Sequence, residues 1–355
     1  MDDVLLANQA FPLILDRGCQ SDDEYSSGML REITRRVDWV LVGGCWTRVS
    51  VIGTSLSDEI LSRENKGDLD NRIVILMIPG NPGNEGFYAD FGHKVVKCLL
   101  SREERMGDRK RHYLFYTVSH LNHVVLPPEL KNSGKHRPYD RFQLDAQVQH
   151  KLDFVREHLP KAQKVYILGH SIGSYMMLKI LPYIKDDFNI KKAIGLFPTV
   201  EKMAESPNGL RLKRVLATLD TNDWLAKSVS FWLDCLPVSV KKWLVTWNLT
   251  GDTVPSDVVS SAAELLNMHV FRNIVHMSHD ELNKVCEFDQ TLIANKDLVY
   301  FYYGKEDGWC PEDNGYSMEA RLPQGHVIID EDGCEHAFVI RDGAVVADKL
   351  LRFIN

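Results

Sequence analysis

A serine with a glycine two positions away on each side, in Gly169-His170-Ser171-Ile172-Gly173, follows directly on the apolar run Val165-Tyr166-Ile167-Leu168. A helical pattern from Tyr175 to Leu181 comes next, and Pro182 is expected to close it. This order predicts a strand, a sharp turn and a helix, with the hydroxyl of Ser171 lifted above the sheet at the turn. Small residues are needed beside it because the turn brings backbone segments close together. The helix that starts there aims free N–H groups at the same point, which favours developing negative charge. The chemistry implied is nucleophilic attack by Ser171 on an acyl carbon. A bare G-x-S-x-G arises by chance in roughly one chain in ten of this length, so the weight rests on its context and on the partners downstream.

Such a nucleophile needs a base and an acid that orients the base, and after a turn of this kind the chain order is serine, acid, histidine. The run Leu298 to Tyr303 predicts a strand, and the loop behind it, Gly304-Lys305-Glu306-Asp307-Gly308-Trp309-Cys310-Pro311, makes Asp307 the leading acid. A last strand is expected over His326 to Asp330, and Glu331-Asp332-Gly333-Cys334-Glu335 then delivers His336, the leading base. The interval between Asp307 and His336 has room for one helix and one strand, which brings both loops to one rim. Glu306, Asp313, Asp330 and Asp332 compete for the acid's place, and each reads as a solvated loop carboxylate.

Negative charge on the attacked carbonyl calls for two main-chain N–H donors, one from the residue after the serine and one from the loop after an earlier strand. Ile172 supplies the first. The loop Pro79-Gly80-Asn81-Pro82-Gly83 follows an expected strand over Ile73 to Ile78 and should supply the second. Pro82 has no N–H, so Asn81 is the leading donor, with Gly80 and Gly83 behind it. The histidine pairs His120/His123 and His276/His279 have i, i+3 spacing, yet no third ligand at zinc spacing accompanies them. They read as surface histidines, and neither metal nor cofactor is expected.

The elements that must position these residues alternate. Short apolar runs over Ile73–Pro79, Val165–Gly169, Ala193–Pro198 and Leu298–Gly304 read as buried parallel strands. Between them lie helical patterns such as Val148, Leu152, Val155 and Leu159, preceded by Asp140 and Gln143 as a capping box. The expected architecture is α/β, a mostly parallel doubly wound sheet with active residues beyond the carboxyl ends of its strands. The alternation lapses between Thr199 and Asn295, which reads as a helical cap. The expected division is therefore an N-terminal extension over 1–36, a core over 37–198, the cap over 199–295 and the rest of the core over 296–355. Residues 53–71 and 126–138 read as surface loops, and Asn248-Leu249-Thr250 as an unused glycosylation sequon. Within the cap, residues 224–249 carry Trp224, Trp232, Trp243 and Trp247, four of the chain's seven tryptophans, together with Lys241-Lys242. That composition suits an oil–water boundary as well as it suits packing against the sheet.

Composition narrows the function class. The formal net charge is −7 across 355 residues, so no basic field exists to hold nucleic acid. Seven scattered cysteines without C-x-x-C argue against a disulfide framework and for a reducing compartment. Acidic Met1-Asp2-Asp3 and the lack of a long apolar run make a signal peptide or a spanning helix unexpected, leaving peripheral contact with lipid.

Several stretches resemble the lipid droplet-associated hydrolase family: Ile78-Pro79-Gly80-Asn81-Pro82-Gly83, Gly169-His170-Ser171-Ile172-Gly173-Ser174-Tyr175, Leu196-Phe197-Pro198-Thr199, Glu205-Ser206-Pro207-Asn208-Gly209, Phe301-Tyr302-Tyr303-Gly304 with Trp309-Cys310-Pro311, and His336-Ala337-Phe338. The resemblance runs from about residue 37 to the end. It implies an α/β-hydrolase fold, residence on lipid droplets and the cytosolic face of the endoplasmic reticulum, and hydrolysis of neutral lipid esters such as cholesteryl ester. By motif it implies Ser171, Asp307 and His336 as the triad. Two positions depart from the family pattern: Gly308 and Glu335 stand where proline is frequent. Three readings follow: an esterase working through an acyl-enzyme, a droplet-binding or remodelling protein on a hydrolase scaffold with little turnover, and an acyltransferase using the same triad.

Overall fold

The computed structural model describes residues 31–54, 56–57, 71–107, 111–248 and 254–354. The expected extension and the sequon fall largely outside these residues. Among the described residues, eight strands form one sheet in the order β1-β2-β4-β3-β5-β6-β7-β8. They are β1 (Thr34–Val42), β2 (Cys45–Gly53), β3 (Arg72–Ile78), β4 (His112–Val118), β5 (Lys164–His170), β6 (Ile190–Leu196), β7 (Val299–Tyr303) and β8 (Val327–Ile329). The six from β3 to β8 run parallel, while β2 pairs antiparallel with both β1 and β4.

The interior strands are continuous apolar runs because both faces are covered: every residue of β3 is buried. Helices α1 (Ala89–Met106), α2 (Leu144–Glu157), α3 (Ile172–Ile184) and α10 (Gly343–Leu350) provide that cover. After β3 the chain turns to β4 on one side, and after β4 it returns to β5 on the other. Strands β3 and β5 therefore flank the point where strand order reverses, and a crevice opens beyond their carboxyl ends.

Local rules yield to packing at two places. Gln143, not Asp140, is the N-cap of α2 and makes no side-chain cap bond. Asp140 instead accepts from the Arg137 N–H at 2.7 Å, and the Leu144 N–H donates to Asp280 at 2.8 Å, so the helix is capped by another element rather than by a capping box. Helix α3 also runs past Pro182 to Ile184. So near a helix end proline removes only one hydrogen bond, and burial of Leu181 and Ile184 outweighs it.

Between β6 and β7 the chain forms α4 (Pro207–Thr221), α5 (Asp223–Asp234), α6 (Val238–Asn248), α7 (Ser256–Glu264) and α8 (Met268–Lys284), with α9 (Glu312–Glu319) following β7. Trp224, Trp243 and Trp247 are 69%, 63% and 69% exposed, so these three do not pack onto the sheet. Lys241 is buried against Asp234 and the Leu266 carbonyl, which removes it from the outward face. No helix among the described residues is long and apolar enough to cross a membrane.

Candidate active site

Ser171 occupies the junction of β5 and α3 with φ 52° and ψ −124°. A non-glycine residue held there stores on the order of 1–3 kcal/mol of strain. The flanking glycines make the turn possible. A Cβ on Gly169 would lie 2.6 Å from the Gly173 carbonyl oxygen, and one on Gly173 would lie 2.2 Å from that of Ile78.

Three loops converge on this serine. Its Oγ donates to His336 Nε2 at 2.9 Å, and His336 Nδ1 donates to Asp307 Oδ2 at 2.6 Å. Asp307 is fixed from its other side: its Oδ1 accepts from the N–H groups of Trp309 (2.7 Å) and Cys310 (3.2 Å). The Cys310 thiol donates to Oδ2 at 3.0 Å. Burial alone would raise the Asp307 carboxyl, but the hydrogen bond and charge of His336, with the donors from Cys310 and Trp309, hold it below its ordinary range. Asp307, Cys310 and His336 present ligand-type atoms within 4.8 Å, and those atoms hydrogen-bond to one another.

The loop after β3 lies against the same serine, since a Cβ on Gly80 would stand 3.0 Å from Ser171 Cβ. Gly80 N–H donates to Tyr88 Oη at 2.8 Å and Gly83 N–H to His123 Nδ1 at 3.2 Å, so both are occupied. Among the described residues the N–H groups of Asn81 and Ile172 have no such acceptor. The peptide bond between Asn81 and Pro82 is cis.

Tyr88 and His170 went unnoticed in the sequence. Because Gly80 donates to Tyr88 Oη, the phenol O–H donates to His170 Nδ1 at 2.7 Å, leaving Nε2–H to donate to the His336 carbonyl at 2.9 Å. Burial, with the nearby His336 adding to it, pushes His170 down to about 3, so it is neutral and this tautomer is fixed. One chain of hydrogen bonds thus ties the Gly80 loop to the loop carrying His336. The position of His170 inside the glycine–serine motif was the available signal; Tyr88 had none.

Other expectations need correction. His120 and His123 are buried at 1% and 0% exposure rather than on the surface, packed beside Lys151 and His150 behind the Gly83 loop. His276 and His279 each bond one oxygen of Asp220 at 2.8 Å, which Arg141 also meets. Asp330 is not solvated: it is buried and accepts from Tyr302 Oη and the Cys334 N–H. Glu306 and Asp313 are exposed, as expected of solvated carboxylates, though Asp313 lies in α9 rather than in a loop, and Asp332 pairs with Lys349. Gly308 suits its place, since Asn208 packs where a side chain would go and donates its N–H to the Gly308 carbonyl at 2.9 Å. Ser206-Pro207-Asn208-Gly209 therefore supports the acid loop, with Ser206 accepting from Gly209 N–H as the N-cap of α4.

A sequence model of the lipid-droplet associated hydrolase family matches residues 71–339, a span that takes in every residue of this site. The chain belongs to that family. Lipid droplet-associated hydrolases of Gallus gallus and Homo sapiens are 31% and 29% identical to it. The first alignment covers 79% of this chain and 83% of the relative, the second 91% and 96%. Among solved structures, a membrane phospholipase A described as a bacterial virulence factor superposes with a TM-score of 0.54 at 10% identity, covering 90% of this chain and 86% of that one. A peroxisomal alpha-beta-hydrolase of Saccharomyces cerevisiae gives 0.53 at 12% identity, covering 91% and 87%. Identities this low speak for the fold alone, and that fold is the α/β-hydrolase fold. This member of the lipid-droplet associated hydrolases is thus a hydrolase by family, with the architecture expected from its strand and helix pattern.

Proposed function

We propose that this chain is a serine hydrolase of neutral lipid esters, cholesteryl ester-like in class, acting at the surface of lipid droplets and on the cytosolic face of the endoplasmic reticulum. The observation that carries it is the continuous bonding from Ser171 Oγ through His336 to Asp307, at 2.9 and 2.6 Å. In this reading His336 takes the serine proton as Oγ attacks the ester carbonyl, and Asp307 holds the imidazole in the right tautomer and steadies its positive charge. The N–H groups of Ile172 and Asn81 receive the oxyanion. His336 next protonates the departing alcohol, and a water activated by the same imidazole releases the fatty acid.

The helices between β6 and β7 serve as the cap, and the segment 224–249 makes peripheral contact with lipid. In support, Trp224, Phe231, Val238, Trp243 and Trp247 are all more than half exposed. Apolar side chains presented outward by neighbouring helices bind an interface without a spanning segment or a covalent anchor.

Labelling by a fluorophosphonate probe tests the serine assignment. Wild type is expected to label and Ser171→Ala not; persistent labelling of the variant sinks the assignment. The same exposed tryptophans favour a second reading, a droplet-remodelling protein with little turnover. Equal rescue of droplet size by wild type and Ser171→Ala would select it, whereas rescue by wild type alone selects catalysis.

A further inference from the structure

One buried glutamate beside this site has no cation partner among the described residues. Among the described residues Glu85, Glu103 and Glu201 are also buried, and each meets an arginine. Glu281, only 1% exposed, has no such partner; the side-chain amide of Asn81 donates to its Oε1 at 3.2 Å. The same Asn81 Nδ2 lies 2.8 Å from Ser278 Oγ and 3.2 Å from the Ile274 carbonyl, so its two hydrogens are shared among three acceptors. Ile274, Ser278 and Glu281 are spaced i, i+4, i+7 along α8, so a single face of that helix grips the Asn81 side chain.

We propose that Ser278 and Glu281 are positioning residues, which set the Asn81 main-chain N–H toward the oxyanion by holding its side chain. The inference rests on the serine-hydrolase reading and deepens it. Gly80 is already tied to Tyr88 and Gly83 to His123, so the side-chain grip on Asn81 fixes the one peptide between them whose N–H is free among the described residues. A donor to an oxyanion contributes only when held within a few tenths of an ångström, and a misplacement of about 1 Å is enough to lose a hundredfold. Burial pushes the Glu281 carboxyl up to about 8 against the pull of the Asn81 hydrogen bond, with the Asp280 charge adding to the rise. Burial thus favours the protonated Glu281, which carries both a donor and an acceptor, as Ser278 does, so the pair can serve either orientation of the Asn81 amide. A neutral Glu281 also places no negative charge beside the developing oxyanion. Because α8 lies in the insertion between β6 and β7, this donor is held by an element outside the sheet.

Steady-state kinetics of the full-length protein on a soluble short-chain p-nitrophenyl ester test this, with thermal melting as the check on folding. Glu281→Gln keeps the shape, the acceptor and a donor, and is expected to hold kcat within about twofold of wild type. Glu281→Leu and Ser278→Ala are expected to lower kcat by about tenfold or more while KM stays within about threefold. Should Glu281→Leu fail to fold, Ser278→Ala still decides. Wild-type kcat in Ser278→Ala, an equal loss in the Gln and Leu variants, or a change confined to KM each overturns the proposal. Ser171→Ala run alongside separates the two levels: if it still turns over the ester, the serine reading itself falls, whatever the α8 variants do.

Discussion

His170, the residue before Ser171, donates from Nε2 to the main-chain carbonyl of His336 at 2.9 Å. The nucleophile's neighbour therefore holds the backbone of the base, and through Tyr88 it also holds Gly80. Removing the phenol hydroxyl breaks this chain at its middle. Tyr88→Phe leaves the Gly80 N–H and His170 Nδ1 buried without partners, which costs about 1–3 kcal/mol. The expected outcome is a lower melting temperature and a kcat reduced about tenfold with KM little changed. A Tyr88→Phe enzyme with wild-type kcat would show that the chain does not hold the site.

Asp307 tests the orientation of the base separately from its presence. Asp307→Asn keeps the shape but replaces an acceptor with a group that can donate toward His336 Nδ1, favouring the wrong tautomer. A fall in kcat of about 10³–10⁴ is expected. Cys310 supports Asp307 through a weaker thiol donor, so Cys310→Ala should cost only a few-fold. The Cys310 thiol is also fully buried, and burial, followed by the Asp307 charge, raises it well above its ordinary value. Iodoacetamide should accordingly leave the activity of the folded protein intact; rapid inactivation traced to Cys310 would contradict the buried, protonated thiol.

Much of this site was legible because its parts obey short-range rules. Ser171, Asp307 and His336 each stand just past an apolar run, and a strand followed by a loop is a local event. What escaped were features made by partners distant in sequence. Strand β4, with Tyr113, Phe115 and Tyr116 among its residues, gave no turn signal at its ends. The β1–β2 hairpin turns on Gly43-Gly44 with φ of 57° and 85°, a two-residue turn signal that the sequence does carry. The burial of His120 and His123 could not be read from i, i+3 spacing, since it comes from the Gly83 loop and α2 closing over them. Residues 224–249 had two equal readings until the exposure of Trp224, Trp243 and Trp247 favoured the outward one.

The buried histidines make stability depend on pH in a definite direction. Burial, with the charge of Lys151 adding to it, pushes His123 down to about 3 and holds His120 and His150 well below their ordinary value; His170 also falls to about 3. The unfolded chain takes up protons on these groups near pH 6.5 while the folded chain refuses them. The stability that these histidines confer is therefore fully present above that pH and is lost as pH falls from about 6.5 toward 3. Glu281, raised to about 8, acts in the opposite sense, its contribution fading as pH rises from 4.5 through 8. Urea unfolding at pH 7, 6, 5 and 4.5 should show a fall steeper than the roughly 1.4 kcal/mol per pH unit of a single proton. A flat profile across that range would mean that these histidines are reached by water.

Trp243 and Trp247 stack with ring centroids 6.2 Å apart and planes within 3° on one face of α6, both turned outward. Side chains this exposed contribute little to folding, so replacing Trp224, Trp243 and Trp247 together with serine should move the melting temperature only slightly, each change staying within about 0.5 kcal/mol. Binding to lipid is another matter, because an interface takes up the whole apolar area that water now covers. The triple variant is expected to lose flotation with phospholipid-coated triolein emulsions by tenfold or more while keeping wild-type kcat on a soluble ester. Its turnover of emulsified ester should fall in proportion to the binding lost. A variant that floats as well as wild type would show that another surface meets the droplet, and one that loses soluble-ester activity would show that these rings brace the cap instead.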